Sequence, residues 1–188
     1  MGKNNFYPGS PIFISYIANE KDKLFFCELH KNEYELLKKN LNKYTNTKIL
    51  NFDGFNFILN KIYKDKNYFL FIDPSYEIKD DFQKVEEILN NIDNLFSKSK
   101  IIIWYPVLNI LENDSFIQNI RKKGISNIIN VEMPIMKYGD NDGMQGSGLL
   151  LINFSNRSIM KNLKEVIHEI QNILKLEENS TRFKLRYL

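Results

Sequence analysis

Residues 68–81 read Tyr-Phe-Leu-Phe-Ile-Asp-Pro-Ser-Tyr-Glu-Ile-Lys-Asp-Asp. The first five are apolar or aromatic without alternation, as a strand covered on both faces of a parallel sheet requires. Asp73-Pro74-Ser75-Tyr76 then breaks the run, and Asp80 or Asp81 can cap a helix whose Phe82, Val85, Leu89, Ile92 and Phe96 fall on one face. Strand, turn and helix in that order form one half of a βαβ unit.

The same pattern recurs outward from this stretch. Apolar runs rich in Ile, Phe and Val lie at Lys23–Leu29, Lys48–Phe52, Lys100–Tyr105, Ile125–Met133 and Leu149–Phe154. Between them the spacing predicts a helix capped by Asn32 with Glu35 three residues on. Another runs from about Asp114 to Lys123 and stops at Gly124, and a third runs from about Ser158 to Leu176. The fold class expected is therefore α/β, with a mainly parallel sheet in one domain spanning residues 1–188. The last segment, Arg182–Leu188, alternates basic and apolar residues and reads as a short edge strand.

Composition narrows the function classes. Hydrophobic residues make up 43% of 188, which excludes wholesale disorder. One cysteine and two histidines supply neither an internal disulfide nor a structural zinc site, so no metal is expected. No stretch approaches the roughly 18 apolar residues of a membrane span, and nothing resembles a signal peptide, so a cytoplasmic location without membrane partners is expected. A net charge of +3 permits nucleic-acid binding without arguing for it.

In an α/β sheet, ligands bind beyond the carboxyl ends of the strands. Glu28 and His30 follow the first run, Asp53 and Gly54 the second, and Asp73-Pro74-Ser75-Tyr76 the third. Each acid alone is well explained as a cap for the turn or helix behind it. Three in succession favour acceptors for ribose hydroxyls or an adenine amino group. Asp73 and Pro74 also suit a definite chemistry. An exocyclic amine on a base is a poor nucleophile, because its lone pair is delocalised into the ring. One carboxylate and one carbonyl accepting its two N–H groups favour a tetrahedral nitrogen that can attack. Asp73 can supply the first and Pro74 the second, with its φ restricted, while the Tyr76 ring can stack on an extruded base. Trp104 and Tyr105 end a strand and can line such a pocket, with core packing the alternative for Trp104. Lys79 can contact a phosphate or simply be solvated. The stretch from Pro134 to Gly148 is long for a strand connection. Cys27 reads as a small buried residue, and His30 and His168 as structural or surface residues.

Asp73–Asp81, together with Tyr7-Pro8-Gly9-Ser10-Pro11, Glu28-Leu29-His30, Asp53-Gly54-Phe55, Trp104-Tyr105-Pro106-Val107 and the Gly143–Gly148 stretch, resembles in order the motifs of the RlmJ family. These enzymes methylate adenine N6 in 23S ribosomal RNA. The resemblance spans about Tyr7 to Phe154. It implies a Rossmann-like S-adenosylmethionine-dependent methyltransferase fold and activity on protein-free ribosomal RNA. It implies Asp73, with Pro74 and Tyr76, as the catalytic residues, and Ser10, Glu28, Asp53 and Gly54 as the cofactor-binding residues. Ser75 departs from the family's usual second proline. The family's first strand and glycine-rich turn have no counterpart in this chain, which is therefore expected to be truncated at its N-terminus. That leaves a separate N-terminal fragment as a possible partner. The rival reading is a non-catalytic remnant that binds RNA or a partner chain.

Overall fold

The computed structural model describes residues 7–62, 66–76, 80–91, 97–108, 110–134, 143–154, 157–173 and 183–188. The chain divides into two compact units, Met1–Ile62 and Tyr63–Leu188.

The first unit contains α1 (Ser10–Ile17), β1 (Leu24–Cys27), α2 (Lys31–Leu41), β2 (Thr47–Leu50) and α3 (Gly54–Lys61). β1 and β2 pair in parallel, with Leu24 opposite Thr47 and Cys27 opposite Leu50. α2 packs on β2, and α3 packs on β1. The expected cap at Asn32 is displaced. α2 starts two residues earlier, after His30, and no side chain caps it. α1 and α3 were not foreseen, because eight-residue helices are too short for a clear apolar period.

The second unit contains β3 (Phe69–Ile72), α4 (Asp80–Asn90), β4 (Lys100–Val107), α5 (Ile110–Lys122), β5 (Ile128–Pro134), β6 (Gly146–Ile152), α6 (Arg157–Ile173) and β7 (Lys184–Tyr187). Its sheet has the order β3-β4-β6-β5-β7. β3 runs parallel to β4, whereas β6 is antiparallel to both its neighbours and β7 is antiparallel to β5. The expectation of a mainly parallel sheet thus holds for β1–β2 and β3–β4 only. β5 and β6 are sequential strands of one hairpin, and a hairpin is antiparallel by construction. β6 also begins at Gly146, three residues before the apolar run, because glycine carries no hydrophobic signal.

Alternation along β4 assigns its two faces. Ile101, Ile103, Tyr105 and Val107 are buried on the side of α4 and α5, where Tyr105 meets Phe116 at 5.3 Å. Ile102 belongs to the other face, where α6 covers Ile129, Val131, Leu151 and Phe154. Gly124 ends α5 at φ +64° with its N–H on Arg121 O, the left-handed cap expected of it. β7 is an edge strand, as the alternation of Arg182–Leu188 implied, although Arg182 itself lies outside the described residues. Leu174 to Leu176 of the expected last helix, Ile92 and Phe96 of the expected α4 stripe, and most of the 134–148 connection also lie outside them.

Candidate active site

β3 is short and lies at the edge of its sheet, and Asp73 follows directly at its carboxyl end. Leu70 and Ile72 point into the core, whereas Phe69 and Phe71 are 58% and 37% exposed. Asp73 is exposed, yet the apolar surroundings of the strand end raise its carboxyl above the usual carboxylate range by desolvation. Solvent screening limits the size of that effect.

Tyr76 closes the turn in a left-handed backbone conformation, φ +53°. For a bulky residue this costs about 1–2 kcal/mol, so other contacts must hold it. Its hydroxyl donates to Trp104 O at 2.7 Å, its ring lies 4.6 Å from Phe82 and 5.8 Å from Trp104, and its N–H donates to Asp81 Oδ2 at 3.2 Å. Burial, then the charges of Asp73 and Asp81, push its phenol well above the ordinary tyrosine value. Tyr76 is therefore a neutral, braced ring and not a proton donor or acceptor at neutral pH.

Of the aromatic pair near the end of β4, Tyr105 departs from the expected place in a pocket. Tyr105 is wholly buried. Its hydroxyl lies 2.7 Å from Asn130 Oδ1 and 3.2 Å from Glu132 Oε1, and Asn130 Nδ2 also donates to Glu132. Lys184 of β7 lies 3.7 Å from Glu132 Oε2. The ring crosses β6 at Gly148, where a Cβ would stand 2.1 Å from Tyr105 Cζ. Tyr105 is thus a core residue, while half-buried Trp104 stays beside Tyr76. Lys79 lies outside the described residues.

In the first unit, Glu28 and Asp53 stand at the ends of β1 and β2. Glu28 Oε1 accepts the His30 N–H at 2.8 Å, and Asn51 Nδ2 ties the Glu28 and Leu29 carbonyls at 2.8 and 2.9 Å. Asp53 is the N-cap of α3, and its Oδ1 accepts the Asn56 N–H at 3.0 Å. Both acids therefore do what a turn or helix cap does, each with one of its two oxygens. Gly54 opens α3, and a Cβ there would meet Cys27 Cβ at 3.5 Å, an ordinary contact, so steric need does not explain this glycine. Ser10 lies in the first turn of α1. Burial, then the Asp53 charge, push the Cys27 thiol up to about 11, leaving it protonated and a poor nucleophile at neutral pH. The structure thus brings Asp73, Pro74 and Tyr76 together in one unit and Glu28, Asp53 and Gly54 in the other.

Sequence reasoning missed two contributors. Asp81 was expected only as a possible helix cap, but it holds the Tyr76 amide. Gly148 was expected only as part of a loop, but it admits the Tyr105 ring. Neither carries a local signal, since each acts on a residue remote in the chain or across a turn.

A model of the family described as "Ribosomal RNA large subunit methyltransferase D, RlmJ" matches residues 1–185. The chain belongs to that family. Two curated relatives, each named "Ribosomal RNA large subunit methyltransferase J", agree with this. The Escherichia coli K12 protein is 30% identical over 153 residues, covering 81% of this chain and 55% of the relative. The Haemophilus influenzae protein is 28% identical over 149 residues, covering 79% and 53%. The chain thus spans about half the length of the curated relatives it matches. A solved Legionella pneumophila protein superposes with a TM-score of 0.85 at 27% identity, over 96% of this chain and 66% of that one. The "Human methyltransferase 10 domain containing protein" shares the fold alone, with a TM-score of 0.50 at 13% identity, over 79% of this chain and 85% of that one. The expected methyltransferase-like α/β fold and RlmJ membership are both borne out. Among the described residues no helix is long and apolar enough to cross a membrane.

Proposed function

We propose that residues 1–188 act as one methyltransferase-like catalytic domain, partial relative to its family, that transfers a methyl group from S-adenosylmethionine to adenine N6 in protein-free 23S ribosomal RNA. The observation that carries this reading is the Asp73–Tyr76 turn. A carboxylate and a proline carbonyl follow the end of a strand, beside an aromatic ring braced at both its hydroxyl and its face.

The turn's chemistry follows from its parts. The Asp73 carboxylate accepts one N–H of the target amine and the Pro74 carbonyl the other, so the nitrogen lone pair is freed from the ring. The base stacks on Tyr76, which Phe82 and Trp104 keep from collapsing. Orientation and hydrogen bonding supply the rate, with no covalent intermediate on the protein. Asp73 must be ionised to accept, so the rate falls as pH drops through its raised pKa.

The hydrogen-bond acceptors of the first unit suit the cofactor. Glu28 and Asp53 each commit one oxygen to a local bond, and a carboxylate has a second to offer ribose hydroxyls or the adenine amine. Glu28 would hold the ribose and Asp53 the adenine end, with Ser10 and Gly54 alongside. When bound, the cofactor would supply an electrophilic methyl group on a sulfonium and leave as the neutral thioether, and the methylated nitrogen would release one N–H proton to solvent.

The test is calorimetric titration of the 188-residue chain with S-adenosylmethionine, followed by incubation with protein-free 23S RNA and nucleoside mass spectrometry. Cofactor binding and appearance of N6-methyladenosine are expected. A folded chain that binds no cofactor would favour the remnant reading, and methylation at another atom would refute the role given to Asp73.

A further inference from the structure

Asp81 has no part in the chemistry above, yet it is a buried charge, only 7% exposed in the first turn of α4. Its two oxygens are divided. Oδ2 accepts the Tyr76 N–H at 3.2 Å, and Oδ1 faces Lys84 Nζ at 3.3 Å. The Trp104 carbonyl and the Phe82 ring hold the Tyr76 side chain. The Asp81 bond holds something else, the peptide plane between Ser75 and Tyr76. That plane adjoins the peptide carrying the Pro74 carbonyl, and it precedes a residue whose positive φ the chain would otherwise abandon. A hydrogen bond to an ionised acceptor is roughly twice as strong as a neutral one, which suits this task.

We propose that Asp81 is the positioning residue of the turn: by holding the Tyr76 N–H it fixes the Ser75–Tyr76 peptide, and with it the aim of the Pro74 carbonyl and the Tyr76 ring. The inference rests on reading Asp73–Tyr76 as the methyl-transfer turn. Asp81 touches neither base nor cofactor in that reading and acts through Tyr76 alone.

Trp104 is the sole tryptophan, and its carbonyl receives the Tyr76 hydroxyl, so its fluorescence reports the turn independently of activity. In the full chain, Asp81→Ala is expected to red-shift that emission and to increase its quenching by acrylamide. It should also lower kcat by about 10- to 100-fold, the usual cost of misplaced groups. KM for S-adenosylmethionine should stay within about twofold, since Glu28 and Asp53 lie in the other unit. Asp81→Asn keeps an oxygen for the Tyr76 N–H and should retain the native emission and most of kcat. Lys84→Ala removes the ion pair but not the amide bond and should do the same. If Asp81→Ala fails to fold, Asp81→Ser replaces it, since its hydroxyl suits a helix start but is shorter than the carboxylate. Native emission and kcat in the variant lacking the carboxylate would overturn the proposal. So would Asp81→Asn falling as far as Asp81→Ala, or Lys84→Ala mimicking it. An inactive wild-type chain with the expected emission series would remove the methyl-transfer reading while supporting the hold of Asp81 on the turn.

Discussion

The two units place their strand-end acids on very different foundations. In the first, Leu41 is the one buried hydrophobic side chain among the described residues, and Phe25, Leu29 and Phe52 are exposed. In the second, β4, β5 and β6 are buried along most of their length and lie between α4 and α5 on one face and α6 on the other. A two-stranded sheet has little stability of its own. Glu28 and Asp53 therefore rely on short-range bonds from His30 and Asn56. Asp73 and Tyr76 stand on a core that extends across five strands. A carboxylate held by its own turn stays locally ordered without a core, whereas a strained tyrosine needs partners from other elements.

The sharpest way to break this comparison is at Asp73. Asp73→Ala should lower methyl transfer by at least about 100-fold, with cofactor affinity and thermal transition preserved, as initial rates, calorimetry and circular dichroism would show. Wild-type rates in that variant would detach the chemistry from the second unit. Next in size, Ile103→Ala should destabilise the second unit by about 2–5 kcal/mol in urea denaturation. Hydrogen exchange should meanwhile show β4 and β6 amides protected far longer than those of β1 and β2. Equal protection in both sheets would erase the contrast between the units.

Gly148→Ala sharpens it further. The added Cβ overlaps the Tyr105 ring, so a loss of about 1–3 kcal/mol is expected for overpacking. Pairing the substitution with Tyr105→Ala in a double-mutant cycle should show strong coupling between the two positions. In the first unit, Glu28→Gln should weaken S-adenosylmethionine binding by about tenfold, the scale of one charge-assisted bond, with the urea transition of the second unit unmoved.

The smallest expected effect is Asp73→Asn on stability. The folded state holds the Asp73 proton more tightly than the unfolded chain. Ionised Asp73 therefore costs stability at neutral pH, and that cost disappears as pH falls through the raised pKa. Asp73→Asn should melt slightly higher than wild type at pH 7, and the gap should close in acid. A gap that widens on acidification would reverse the sign.

Much of the fold was legible from local pattern. The apolar runs became strands, Gly124 became a left-handed cap, and the charged and apolar alternation after Arg182 became an edge strand. The three strand-end acids were also found where the run boundaries put them. What was not legible was pairing and direction. The apolar run at Leu149–Phe154 looks the same whether its strand runs parallel or antiparallel, and its insertion between β4 and β5 depends on partners about 20 and 50 residues away.

The sequence by itself therefore determined the strands and the longer helices, the acids at the strand ends and the motif Asp73-Pro74-Ser75-Tyr76, because hydrophobic period and turn chemistry act within a few residues. Only the tertiary structure decided that Tyr76 would be left-handed and braced by Trp104 and Phe82, that Asp81 would hold its amide, and that Gly148 would make room for Tyr105. Those outcomes depend on which buried polar group finds a partner across the sheet or turn, and burial is a property of the assembled core rather than of any one stretch of chain.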